Sequence, residues 1–240
     1  MKEVYKKNNL DIEKEWDNIA LLRNTQIKNK VDVSFHKILV PNIIDQLNFV
    51  DNISEKKLID LGCGSGYLTN ILSSYVKEAI GVDISSKNIE LANKNFSKPN
   101  LHFYKSAIEH FKGCDYEIAV SNMVLMDVIN LEICVKSISN LLQKNSTFIF
   151  SITHPQFWPK YWGYEDMRWF DYSREIIIES NFKITNESTT FKTTHIHRPL
   201  ENYLNLLAKY NFEAKNIVQL PNINEDIYPR FWIGNFKFKG

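Results

Sequence analysis

Leu58-Ile59-Asp60-Leu61-Gly62-Cys63-Gly64-Ser65-Gly66-Tyr67, followed by the apolar run Ala79-Ile80-Gly81-Val82 that ends at Asp83, is the stretch on which the fold turns. A short apolar run, three glycines at alternate positions and a helical pattern read as strand, tight turn and helix, and the second run reads as a strand carrying an acid at its end. Such a unit holds a dinucleotide-like or adenosine-like cofactor. Its details narrow the choice. A nicotinamide or flavin turn follows GxGxxG or GxGxxA, so that a small third residue lets helix and strand pack, whereas here the glycines stand at 62, 64 and 66 and position 67 is Tyr. A phosphate-cradling loop needs Lys followed by Ser or Thr after its last glycine, and this turn supplies Tyr67-Leu68-Thr69.

Working outward, residues from about Leu10 to Phe49 look helical, with Trp16, Ile19, Ala20 and Leu22 in one apolar set and Ile38, Leu39, Ile43, Ile44 and Leu47 in another. They form a helical cap (1–50) ahead of the first strand. In the core (51–152) strands alternate with helices: strand Leu58 to Leu61, helix Gly66 to Val76, strand Ala79 to Val82, helix Ser86 to Asn95 and strand Leu101 to Tyr104. Strand Tyr116 to Val120, helix Leu131 to Leu142 and strand Thr147 to Ile152 follow. Near-continuous apolar strands alternating with helices predict an α/β domain whose parallel sheet is covered on both faces. Residues 153–198 break the rhythm with a crowd of aromatic and polar side chains and read as an insertion, a lid or substrate-binding segment. Pro199 then opens a helix through Lys209, and strands Ala214 to Leu220 and Phe231 to Phe238 are close enough to pair antiparallel.

Bulk properties exclude several classes. A chain of 240 residues, 44% hydrophobic, fits one domain of the larger kind. Lys and Arg number 29 against 28 Asp and Glu, a net charge of +1 with no basic stripe, so no nucleic-acid partner is expected. Nowhere does the chain offer the roughly 20 consecutive apolar residues that span a bilayer, and a soluble, cytoplasmic protein is expected. Cys63, Cys114 and Cys134 are odd in number, widely spaced and without a ligand pattern, which predicts reduced thiols rather than disulfides or a zinc site. Asp127 and the pair Glu165-Asp166 are the acids nearest an expected site, and their spacing forms no metal-ligand set.

The glycine stretch is similar to the first motif of the class I S-adenosylmethionine-dependent methyltransferases, and Ile80-Gly81-Val82-Asp83-Ile84-Ser85 resembles their second. The likeness runs from about Trp16 to Ile152, and continues more weakly in His197-Arg198-Pro199-Leu200 and the last two strands. It implies a Rossmann-like seven-stranded mixed sheet in the order 3-2-1-4-5-7-6 with strand 7 antiparallel, S-adenosylmethionine as cofactor and S-adenosylhomocysteine as product. That ligand has a sulfonium, an amino-acid tail, a ribose diol and an adenine but no pyrophosphate, so close backbone approach matters more than phosphate-binding amides. Gly62 and Gly64 would give that approach, with Cys63 and Gly66 completing the turn. Asp83, followed by Ile84, would accept from both ribose hydroxyls, and Asp60 would sit near the cationic methionine portion. By the same resemblance Ser106-Ala107-Ile108-Glu109 meets the adenine, with Ser106 standing where many members carry Asp, and Ser121-Asn122 passes the methionine end.

Methyl transfer is an in-line displacement, and a hydroxyl acceptor must lose a proton. His154, directly after the fifth strand at the sheet's carboxyl edge, is the first candidate base, with His195 and His197 behind it. Trp158, Tyr161 and Trp162 could close a ring-bearing acceptor under a lid with Tyr164, Trp169 and Phe170, while Arg168 and Lys160 suit a phosphate or carboxylate. The expected activity is O-methylation of a small molecule, a natural product or a sugar that is phosphorylated or nucleotide-linked, by a monomer or homodimer. N-methylation of a small amine, tRNA modification and non-catalytic donor binding stand as alternatives.

Overall fold

In the computed structural model, which describes residues 1–184, 187–221 and 227–240, the glycine unit starts from the middle of a seven-stranded sheet. The chain enters through a two-residue strand, β1 (Lys2–Glu3), and a long helix, α1 (Asn9–Lys28), before a π-helical turn at Phe35–Leu39 runs into α2 (Val40–Leu47). The alternating core follows as β2 (Lys57–Leu61), α3 (Tyr67–Leu72), β3 (Glu78–Asp83), α4 (Ser86–Asn95), β4 (Leu101–Lys105), β5 (Tyr116–Asn122), α5 (Leu131–Leu141) and β6 (Leu142–Thr153). Then come α6 (Trp158–Trp162), β7 (Ile176–Ile184), β8 (Glu187–His197), α7 (Leu200–Lys209), β9 (Phe212–Leu220) and β10 (Phe231–Phe238).

The sheet order is β4-β3-β2-β5-β6-β10-β9. The first five strands pair parallel, and β10 inserts antiparallel between β6 and β9. This is the 3-2-1-4-5-7-6 arrangement that the resemblance implied. Side-chain alternation splits the core into two layers. On one face Ile59, Leu61, Ala119, Phe148, Phe150, Trp232 and Phe236 pack against α5 and α7. On the other, Leu58, Ile118, Val120, Ile149 and Ile233 pack against α2, α3 and α4. Phe150 is the hub of the first layer, with ring centroids of Phe148, Trp232 and Phe236 at 5.2, 5.2 and 5.7 Å.

Two regions depart from the sequence reading. The helix after the glycine turn stops at Leu72 instead of reaching Val76, and β6 begins at Leu142, ahead of Thr147. More consequential, the insertion contains a long hairpin, β7 with β8, that forms a second sheet with β1 in the order β1-β7-β8. The β-branched run Ile176-Ile177-Ile178 and the Thr residues of β8 favour strands. The aromatic crowding upstream obscured that signal. Lys2 pairs with Glu179, and Lys7 bridges Glu15 of α1 at 2.6 Å and Glu179 of β7 at 3.0 Å, so cap and insertion form one covering unit. Asn8 caps α1 by accepting from the Leu10 and Asp11 amides, while Asp11 accepts back from the Asn8 amide.

All three cysteines are free thiols, Cys63 and Cys134 buried and Cys114 exposed. Among the described residues no helix is long and apolar enough to cross a membrane. Because Phe150 is fully buried at the ring cluster, Phe150→Ala is expected to cost about 3–5 kcal/mol of unfolding free energy. Urea unfolding followed by circular dichroism reads this directly, and a loss below ~1 kcal/mol would show that the cluster is not the core's hub.

Candidate active site

The turn between β2 and α3 is held by short backbone hydrogen bonds. The amides of Gly62 and Cys63 donate to the Val82 carbonyl at 2.7 and 3.0 Å, and the Gly66 amide donates to the Cys63 carbonyl at 3.1 Å. Gly62, Gly64 and Gly66 have φ of +79°, +54° and +83°, a region where L side chains are strained. Their missing side chains serve different ends. A Cβ on Gly62 would lie 2.3 Å from Val124, and one on Gly66 would strike Phe103 at 2.7 Å. Only at Gly64 does the vacant direction open into free space. The room for a ligand is therefore at Gly64, whereas Gly62 and Gly66 let neighbouring elements close in, and Gly66 is absent from the cavity wall.

A cavity of about 430 Å³ opens beside this turn. Asp60, Gly62, Cys63, Gly64 and Ser65 line it from β2 and the turn, Asp83 and Ile84 from β3, and Ser106, Ala107 and Ile108 from the loop after β4. Asp83 is buried, and its carboxylate accepts from the Gly64 amide and the Ser85 amide, both at 2.8 Å. Burial pushes its pKa up, and the amides of Ser85 and Gly64 oppose the rise. Asp60 is the extreme case. Its Oδ2 accepts from Thr69 Oγ1 at 2.6 Å while Oδ1 has no partner, and burial raises its pKa to about 7. Cys63 is likewise buried and its thiol is pushed well up by burial, which makes it a packing group rather than a nucleophile.

These features fit S-adenosylmethionine. The unpartnered Asp60 oxygen suits an ammonium, Asp83 retains lone pairs for a diol, and the open direction at Gly64 admits close approach. Ser106 spends its hydroxyl on the Ala107 carbonyl at 2.8 Å and its amide on the Asp83 carbonyl at 2.9 Å, so the loop it sits in is tied to the end of β3. Asn122 lines the cavity with its Oδ1 fixed by Ser151 Oγ at 2.7 Å, and Met123 beyond it takes φ of +59°. Ser121 does not reach the cavity. Its hydroxyl donates to the Leu61 carbonyl inside the sheet at 3.1 Å, because alternation along β5 points it away from Asn122.

The three histidines separate clearly. His154 lies outside the cavity wall, its Nε2 against Gln219 Oε1 at 3.1 Å and its ring on Phe157, because the chain turns at Pro155 and the side chain folds back over β9. Outside the wall too is His197, whose Nε2 faces the Tyr172 carbonyl at 3.1 Å. His195 does line it, edge-on to Trp162 at 5.3 Å, and burial pushes its pKa down to about 3. Trp158, Tyr161 and Trp162 also face the cavity, whereas Arg168 is exposed on the surface away from it. Among the described residues no group of three His, Cys, Asp or Glu side chains is placed to hold a metal.

Several wall residues had no site signal in the linear sequence: Trp16 and Arg23 come from α1, Phe182 and Lys183 from β7 and Thr194 from β8, while Asp127, noted there only as an acid without a metal-ligand pattern, comes from the loop after β5. They meet only because the cap and the hairpin share a sheet. Asp17 of α1 fastens this roof to the floor, accepting from Ser85 Oγ at 2.6 Å, Ser86 Oγ at 3.2 Å and the Lys87 amide at 3.0 Å.

Asp60 gives a pH signature. Its folded pKa lies above the unfolded value of about 3.9, so the unfolded chain releases a proton that the folded one keeps, and stability falls as pH rises between about 4 and 7. Asp60→Asn is expected to flatten part of that decline in the ligand-free protein, read as thermal midpoints from pH 4 to 8. An unchanged slope would mean that Asp60 titrates as an exposed carboxylate.

Residues 52–160 match a family model described as a methyltransferase domain. The methyltransferase-type protein 235L of Invertebrate iridescent virus 6 is 29% identical over 185 residues, covering 66% of this chain and 68% of its own. In structure the chain is similar to an S-adenosylmethionine-dependent methyltransferase of Clostridium acetobutylicum, with a TM-score of 0.67 at 19% identity over 94% of this chain and 99% of that one. The N-methyltransferase NodS of Bradyrhizobium japonicum, solved with S-adenosylhomocysteine, gives a TM-score of 0.58 at 12% identity over 84% and 86%. The glycine turn, the strand-end acid and the sheet order agree with these likenesses: residues 52–160 match a methyltransferase domain, and the chain has the fold of the S-adenosylmethionine-dependent methyltransferases.

Proposed function

We propose that the protein methylates a hydroxyl of a small molecule bound under the roof formed by α1, α6 and the β7–β8 hairpin. The observation that carries this reading is the composition of the cavity beyond the donor residues. Trp16, Trp158, Tyr161, Trp162 and Phe182 give it aromatic walls, the shape and polarity of a site for a ring-bearing acceptor. Cations stand over those rings, with Arg230 4.2 Å from the Tyr161 ring centroid and Lys183 5.9 Å from that of Trp162. They take the part expected of Arg168 and Lys160, and they favour an acceptor that carries phosphate or carboxylate, as a phosphorylated or nucleotide-linked sugar does.

When bound, S-adenosylmethionine supplies an electrophilic methyl group. The chain's own contribution is to hold the donor's ammonium at Asp60 and its ribose at Asp83, to align the acceptor against the aromatic walls and to keep water out. Of the three candidate bases, His195 alone lines the cavity. A roofed cavity of about 430 Å³ and a net charge of +1 speak for a small acceptor over a tRNA.

Two outcomes test the assignment. Asp83→Ala should weaken S-adenosylmethionine binding in calorimetry by more than about tenfold, since two amides lose their acceptor along with the diol contact. An unchanged affinity would remove Asp83 from the donor site. In an S-adenosylhomocysteine release assay against phenols, sugars, their phosphate esters and primary amines, hydroxyl compounds should be turned over, and Trp162→Ala should raise their KM about tenfold with donor affinity unchanged. Turnover confined to amines would shift the reading to N-methylation, and donor binding without any transfer would leave a non-catalytic binder.

A further inference from the structure

Between β5 and α5 the chain runs Met123-Val124-Leu125-Met126-Asp127-Val128-Ile129, in which Asp127 is the single polar side chain. The backbone around it is pinned. The Asp127 amide donates to the Val124 carbonyl at 2.8 Å, and the Met126 carbonyl accepts from the Ile196 amide of β8 at 2.7 Å. Arg198, fully buried, donates to the carbonyls of Leu125, Val128 and Ile129 and grips Glu175 through Nε at 2.7 Å and Nη2 at 3.1 Å. A loop clamped on either side of one residue presents that residue's side chain in a fixed direction.

That residue lines the cavity, together with Met126, Val128, Thr194 and His195. Among the described residues this carboxyl makes no hydrogen bond and no ion pair. Glu15 of α1 is near enough to repel it, and Arg198 near enough to attract it, but both are engaged elsewhere, Glu15 with Lys7 and Thr194. Asp127 is half-buried, and an acid on a cavity wall with no partner in the protein is free to take one from a ligand. Of the other carboxyls on the wall, Asp60 and Asp83 answer to the donor's ammonium and ribose, Asp32 is paired with Arg23 at 2.9 Å, and Glu109 belongs to the loop after β4 on the donor side, which leaves Asp127 for the acceptor.

We propose that Asp127 is a catalytic residue that contacts the acceptor hydroxyl and takes up its proton. This rests on the hydroxyl-methylating reading above. In the step, the acceptor oxygen forms its bond to the methyl carbon, the C–S bond breaks with its electron pair going to sulfur to leave a neutral thioether, and the O–H proton passes to the ionised Asp127 carboxylate. Burial, reinforced by Glu15, pushes the Asp127 pKa well up, whereas His195 is pushed down to about 3. The acid is thus the stronger base of the two wall groups once ionised, and the donor's positive charge favours that ionisation.

Carboxyl labelling tests this without any acceptor. The whole protein, free and saturated with S-adenosylhomocysteine, is treated with a water-soluble carbodiimide and glycine ethyl ester, and modified carboxyls are mapped by mass spectrometry. Asp127 should be modified in both states, while Asp60 and Asp83 are protected by the ligand. Asp127→Asn should leave S-adenosylhomocysteine affinity within about threefold. Shielding of Asp127 equal to that of Asp83 would make it a donor contact and overturn the proposal, as would absence of labelling in either state. A failed transfer assay with this labelling pattern intact would count against the hydroxyl-methylating reading and not against the placement of Asp127.

Discussion

The carboxylate of Asp83 is the junction on which the rest of the site depends. It accepts from the Gly64 amide on one side and the Ser85 amide on the other, which joins the glycine turn after β2 to the start of α4. Ser85 in turn donates to Asp17 of α1, so the same short chain of hydrogen bonds runs from the floor of the cavity to its roof. Each link is charge-assisted and largely desolvated, the setting in which a hydrogen bond fixes geometry most firmly. The donor site is therefore set before any ligand arrives.

A second tier of constraint surrounds the acceptor region. Arg198 is buried with all three of its guanidinium nitrogens engaged, two of them on carbonyls of the loop after β5. A guanidinium so placed cannot be exchanged for the point charge of a lysine without leaving carbonyls unpaired. It thereby couples the end of β8 to the loop that lines the reaction space.

How much of this was legible beforehand follows from range. The glycine turn, Asp83, the strand order and the antiparallel ending are local or pairwise patterns, and the sequence carries them openly. Ser121 and Asn122 show the limit of a local reading: neighbours in a strand face opposite ways, so one lines the cavity and the other bonds within the sheet. His154 failed as a cavity residue for a similar reason, since its position at the sheet edge was correct and its side-chain direction was set by Gln219, sixty-five residues away. The hairpin was hidden because aromatic content drew attention from the β-branched runs of Ile176 to Ile178 and Thr189 to Thr194. Asp127 and Lys183 acquire meaning only when cap and hairpin close over the sheet.

The pairing of Lys2 with Glu179 has a consequence for how the protein comes into being. Helix α1 is made before the strands that cover it, which follow more than a hundred residues later, and the Arg198 clamp comes later still. Until then the face of α1 that the hairpin covers stays open, although α4, made sooner, already packs on that helix. Contacts of such separation are slow to close and leave apolar surface in view meanwhile. The central strands can assemble during synthesis, whereas the roofed cavity can exist only after the hairpin has been made.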